Sequence, residues 1–173
     1  MSSHGPLGEI SRHGDNTTLH YKRSLHHSPE KVWKALTESA HMRWWMPVDM
    51  LGDRETGATV DMVFWPDLAD KSGLDPNAGT ATITVCEPMR TFEWVWHGTT
   101  VRFDIDTTAQ GCDLTLTVTV QSIDLDTIVD NAGGFQLWID HLTALVNSGS
   151  TPPIAAVDAD HLEPHYRRAF DQS

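Results

Sequence analysis

The sequence predicts an α+β fold in which a curved antiparallel sheet wraps around a long C-terminal helix, with two short helices after the first strand. Three features carry that expectation. From residue 58 to 121 apolar and polar residues alternate in short runs, the period of half-buried strands. Turn residues separate those runs where helical stretches would otherwise stand, which is the pattern of an antiparallel meander. Beyond them Phe135, Trp138, Ile139, Leu142, Leu145 and Val146 recur at three- and four-residue spacing, the stripe of an amphipathic helix.

Each element follows from its own residues. Residues 17–25 alternate, with Leu19, Tyr21 and Leu25 on one face and Thr18, His20, Lys22 and Ser24 on the other, and Arg23 is the anomaly of the strand. Ser28-Pro29-Glu30 supplies a capping side chain, a proline at the first helical position and an acid in the first turn, so a helix opens there. Val32, Trp33 and Leu36 form its apolar stripe. A second short helix over 38–45 stops before Pro47, because proline disfavours helical geometry in the residue before it. Strands are expected over 49–52, 58–64, 80–86, 91–96, 99–107 and 112–121, with turns at Glu87-Pro88, His97-Gly98 and Gln110-Gly111. Phe92, Trp94 and Trp96 share a face, as do Val101, Phe103 and Ile105, and then Leu114, Leu116, Val118 and Val120; the alternate positions, such as Glu93, Arg102 and Asp104, suit a solvated face. Residues 65–79 read as a loop. The long helix is expected to begin near Gly133-Gly134 and to end around Gly149. Leu162, Tyr166 and Phe170 at four-residue steps predict a short helix docking back on the body or on a partner, with Pro164 in its first turn.

These elements divide the chain into a polar N-terminal segment (1–16), one domain (17–149) and a linker with a short C-terminal helix (150–173). With 173 residues, 39% of them hydrophobic, the chain can bury a sizeable core without disulfides or structural metal. Its 24 acidic residues against 12 basic ones give a net charge of −12, which disfavours nucleic acid and anionic membrane surfaces as partners. No apolar run approaches a membrane span, the start is too polar for a signal peptide, and Cys86 and Cys112 stand far apart with no CxxC pair. A cytoplasmic protein with no cofactor and no metal site is expected. His161 and His165 have helical ligand spacing, but Pro164 lies between them and no third ligand is near in sequence.

The run Arg23-Ser24-Leu25-His26-His27-Ser28-Pro29-Glu30-Lys31-Val32-Trp33-Lys34-Ala35-Leu36-Thr37, followed by Trp44-Trp45-Met46-Pro47, resembles the opening of START-like (SRPBCC, helix-grip) proteins. The likeness is to the stand-alone bacterial type of the family related to the C-terminal domain of the activator of heat-shock-protein ATPase. Gly52-Asp53-Arg54 with Gly57-Ala58, Glu87-Pro88-Met89-Arg90 before Phe92-Glu93-Trp94, Gly111-Cys112-Asp113-Leu114 and Gly133-Gly134-Phe135 extend it over residues 17–149. That family usually carries tryptophan where this chain has Phe135. The resemblance implies a helix-grip fold with a cavity between the sheet and the C-terminal helix.

Under that fold the inward positions are unusually aromatic. Trp94, Trp96, Phe103, Phe64, Met62, Phe135 and Trp138, with Trp44 and Trp45 from the second short helix, are the candidate lining of a hydrophobic pocket. Equally open at this point is that the rings fill the space themselves, since Phe and Trp each bury about 150–250 Å². Trp44 and Trp45 are adjacent and cannot both face inward. The leading expectation is binding of a small apolar or aromatic molecule in that cavity, with a hydrophobic small molecule as partner and a homodimer as a candidate assembly. Catalysis ranks below binding, because no GxSxG elbow, phosphate loop or dinucleotide fingerprint is present. The alternatives are a polyketide cyclase- or hydrolase-like enzyme, with His141 or His97 as proton-transfer candidates, and a co-chaperone-like interaction module.

Overall fold

The computed structural model describes residues 5–154 and 158–173; residues 1–4 of the polar N-terminal segment and 155–157 of the linker lie outside the described residues. Eight strands form one antiparallel sheet: β1 (Glu9–His13), β2 (Asn16–Leu25), β3 (Val48–Leu51), β4 (Thr59–Phe64), β5 (Asn77–Glu87), β6 (Thr91–Trp96), β7 (Thr99–Thr108) and β8 (Gly111–Val120), in spatial order β1-β2-β8-β7-β6-β5-β4-β3. Register shifts at Asp61/Val63 and Ile83/Val85 are the kind of irregularity that bends a strand and tightens its twist. The alternation in the sequence becomes burial directly: Phe92, Trp94, Val101, Phe103, Leu114 and Leu116 are buried, while the opposite face carries Arg102 bound to Glu93 (3.1 Å) and Asp104 (2.9 Å).

Helices α1 (Pro29–Thr37) and α2 (Ser39–Trp45) follow β2. The Ser28 hydroxyl accepts from Lys31 N, as the cap motif requires. Ala35 joins Val32 and Leu36 in the buried stripe of α1, whereas Trp33 is half-buried with its ring edge-on to Phe92, centroids 5.9 Å apart. Gly111 lets the β7–β8 hairpin press against the end of β2. At its φ of +155° a Cβ would stand 2.1 Å from the Leu25 carbonyl oxygen, so the site tolerates only glycine.

Several expectations are corrected. The segment read as polar and outside the domain supplies β1 in residues 9–13, pairing antiparallel with β2. The segment read as a loop over 65–79 contains α3 (Pro66–Ser72) and the first residues of β5. Pro66 sits at the first turn of α3 and Gly73 ends it in the left-handed conformation. The long helix, α4 (Leu125–Ser148), begins two turns before Gly133-Gly134. Those glycines are interior: a Cβ at Gly133 would stand 3.1 Å from the Ala159 Cβ, so its absence lets the C-terminal segment approach the helix. A 3-10 turn (Asp160–Leu162) leads into α5 (Glu163–Asp171), whose Tyr166 and Phe170 dock on the body with Leu162, and Pro164 lies in its first turn.

Helix α4 is capped by Asp124, whose carboxylate accepts from Thr127 N (3.0 Å) and Thr127 Oγ1 (2.8 Å). These bonds, the backbone one foremost, hold the Asp124 carboxyl below the usual carboxylate range. A depressed folded pKa stabilises above the unfolded value, and the contribution is lost as pH falls through the folded one. The melting-temperature gap between wild type and Asp124→Ala is therefore expected to be widest at neutral pH and to shrink in acid. A gap that stays constant across that range would contradict the cap's charge dependence.

Candidate functional site: an aromatic groove beside the long helix

The nine residues expected to line a cavity divide into three groups. Trp45, Met62, Trp94 and Phe103 are fully buried. Their rings pack in sequence: Trp94 on Phe103 (centroids 6.0 Å), Phe103 against Trp45 (5.6 Å, edge-on) and Trp45 against Trp138 (6.0 Å, edge-on). This is the interior filled by its own aromatics. The Trp45 indole donates to the Ala35 carbonyl at 2.9 Å, while the fully desolvated indole N–H of Trp94 has no acceptor among the described residues. Phe64, at the end of β4, and Trp44 are half-buried against the edge of the core, Trp44 with the Arg43 guanidinium 5.4 Å from its ring centroid.

Trp96, Phe135 and Trp138 come together. They bound a groove of about 320 Å³ between the end of β6 and the first half of α4, completed by Asp130, Asn131 and Gly134. The Phe135 and Trp138 rings are 4.6 Å apart and almost buried, with Trp138 as the link to the interior stack. Trp96 is fixed from behind, because its indole N–H donates to the Ala78 carbonyl at 2.9 Å, and His97 Nε2 reaches the same oxygen at 2.9 Å. Gly134 faces open space, with nothing within 4 Å of where a Cβ would be. Sequence reasoning missed Asp130, Asn131 and Gly134 as rim residues, because it started the helix at the glycine pair. The signal available was Asp124 as a cap followed by Ile128, Val129 and Ala132 at helical spacing.

A second cluster, also missed, lies at the opposite edge of the sheet. Arg23 points inward from β2 and is 6% exposed; it binds Asp140 of α4 at 2.8 Å. The other Asp140 oxygen accepts from Gln136 Nε2 (3.0 Å), Gln136 also donates to the Pro6 carbonyl (3.1 Å), and Tyr166 donates its hydroxyl proton to Gln136 Oε1. Gly8 N donates to the Tyr166 oxygen at 2.8 Å, and Tyr21 donates to the Ala132 carbonyl at 2.6 Å. Burial pushes Tyr166 up to about 12 and Tyr21 well above its ordinary value, so both phenols remain donors. The cluster joins the N-terminal segment, β2, α4 and α5. His141, a candidate for proton transfer, is buried apart from the groove, its Nδ1 3.3 Å from the Trp44 carbonyl and 3.4 Å from the Thr151 hydroxyl.

A curved antiparallel sheet holding a long C-terminal helix, with two short helices between β2 and β3 and an aromatic groove at the helix flank, defines the helix-grip class of α+β proteins. Residues 26–147 match the family described as activator of Hsp90 ATPase homolog 1-like protein, and the chain belongs to that family. Among solved structures, a conserved protein of unknown function from Enterococcus faecalis superposes with a TM-score of 0.75 at 17% identity, over 95% of this chain and 91% of its own. CalU16 from Micromonospora echinospora gives 0.66 at 16% identity, over 99% and 98%. The Aha1 dimer from Colwellia psychrerythraea gives 0.61 at 18% identity, over 78% and 98%. At these identities the likeness carries the fold. No curated protein matches the sequence. Among the described residues no helix is long and apolar enough to cross a membrane.

Proposed function

We propose that this chain binds a small apolar or aromatic molecule between its sheet and its C-terminal helix, in the groove bounded by Trp96, Phe135 and Trp138. The supporting observation is the groove itself: about 320 Å³, within the roughly 300–1,000 Å³ range of small-molecule sites, with three aromatic side chains converging on helix backbone left bare by Gly134. Behind it Trp94, Phe103, Trp45 and Trp138 pack ring on ring, which supports a site at the flank of the helix. Trp96 is held by Ala78 before any ligand arrives, which lowers the cost of ordering the site on binding.

Fluorescence titration with the neutral probe N-phenyl-1-naphthylamine tests this reading. A saturable rise at one probe per chain is expected. Gly134→Leu, which puts a branched side chain into the open space without offending helix propensity, should abolish the rise while leaving a cooperative melt. No rise in wild type, or a rise that survives Gly134→Leu, would remove the groove as the binding site.

A further inference from the structure

We infer that the groove selects a cationic aromatic molecule, an amine carried on a ring system, over neutral and anionic ligands of the same shape; this rests on the groove being the binding site. The argument is one of unspent charge. Asp130 is exposed on the groove rim, and its carboxylate forms no ion pair or hydrogen bond among the described residues. Its neighbour Asn131 donates its side-chain amide to the Thr127 carbonyl at 2.8 Å, leaving the amide oxygen as its outward group. Both polar side chains at the rim therefore offer acceptors.

Among the described residues that line the groove there is no Lys or Arg. Helix α4 contains Asp126, Asp130 and Asp140 and neither Lys nor Arg along its length. Arg167 on α5, which pairs with α4 through Asp126 (2.7 Å), is also held by Glu163 (2.8 Å). On the far side of Asp130 a smaller cleft of about 100 Å³ is edged by Asp160 and Glu163, so the rim stays acidic in that direction too. With a net charge of −12 over the whole chain, the surrounding potential favours cations at the groove mouth.

Aromatic faces and a carboxylate make complementary demands on one ligand. Trp96 and Phe135 line the groove, and aromatic rings of this kind attract a cation through their quadrupoles and stack on a flat apolar body. An ammonium a few bonds from a ring would satisfy the Asp130 carboxylate with its charge and the Asn131 oxygen with a second proton. A carboxylate-bearing analogue would meet repulsion from Asp130 at the same place. Neutral analogues keep the stacking and lose the ion pair.

Three indoles differing in charge separate these contributions: tryptamine, 3-methylindole and indole-3-propionate, each titrated by calorimetry at low and high ionic strength. Tryptamine is expected to bind about tenfold more tightly than indole-3-propionate at low salt, the equivalent of one exposed charge-assisted contact plus relieved repulsion. Added salt and the exposed substitution Asp130→Asn should each bring the pair to within about twofold, since both remove the same screened interaction. Binding of 3-methylindole should be unchanged by either. If 3-methylindole binds but tryptamine has no advantage, or keeps its advantage in Asp130→Asn, the charge selection is overturned while the groove stands. If none of the three binds, the groove falls and the selection with it.

Discussion

Asp140→Ala is expected to lower the stability of the folded chain by about 3–5 kcal/mol, the cost of breaking a buried ion pair by removing one partner. Arg23 is enclosed on the inward face of β2, and its Nε has no partner among the described residues. Removing Asp140 takes away the only carboxylate bound to that guanidinium among the described residues, and with it an acceptor of Gln136 Nε2. The charge has nowhere to go, since guanidinium does not deprotonate at accessible pH. The pair need not be a net source of stability, however. An apolar replacement of both partners, Arg23→Met with Asp140→Leu, should recover most of the loss, because it removes the buried charge and not only its counter-ion. Urea unfolding followed by tryptophan fluorescence measures both variants. A single-variant cost under about 1 kcal/mol would mean that Arg23 finds water or another acceptor and that the cluster is looser than its geometry.

Trp45→Ala should cost a similar amount, about 3–5 kcal/mol, the range for truncating a large buried aromatic. The ring touches both Phe103 and Trp138, and its N–H holds the Ala35 carbonyl, so truncation opens a void and leaves an unpaired acceptor. Trp45→Phe keeps a ring in the stack and should cost clearly less. The comparison also decides what the interior is. A cost below about 2 kcal/mol for Trp45→Ala would show that the ring borders open space, where the cavity contribution to the loss disappears. That outcome would return the binding site to the interior.

The sheet was legible because its signal is local. Alternation in Phe92–Trp96 and Leu114–Val120 states which side of each strand is buried, and glycines and left-handed residues at the hairpins state where it reverses. Helix α1 was legible for the same reason, in the Ser28-Pro29-Glu30 cap. The start of α4 was not, because Gly133-Gly134 carries the mark of a boundary and its actual role depends on a segment, Ala159 to Leu162, that reaches the helix only in the folded state. The site was partly legible. Periodicity named Trp96, Phe135 and Trp138 but gave equal weight to Trp45, Trp94 and Phe103, since an inward-facing ring reads identically whether it lines a cavity or fills one. Arg23 was visible as an anomaly, but its partner lies on another element more than a hundred residues away. Ion pairs of that range leave no spacing to read.

The strand order has a consequence for how the chain is made. Strand β2 joins the body of the sheet by pairing with β8, Leu25 opposite Cys112 and Thr17 opposite Val120. On a translating ribosome the first of these strands therefore emerges well ahead of the second. At about 5–20 residues per second the roughly hundred intervening residues take about 5–20 s to appear. For that interval Leu19, Tyr21 and Leu25 have no sheet to join, and the early hairpin with β1 covers only the far edge of the strand. The nascent chain thus exposes an apolar strand edge for seconds before its closing partner exists, the window in which a holding chaperone has most to protect.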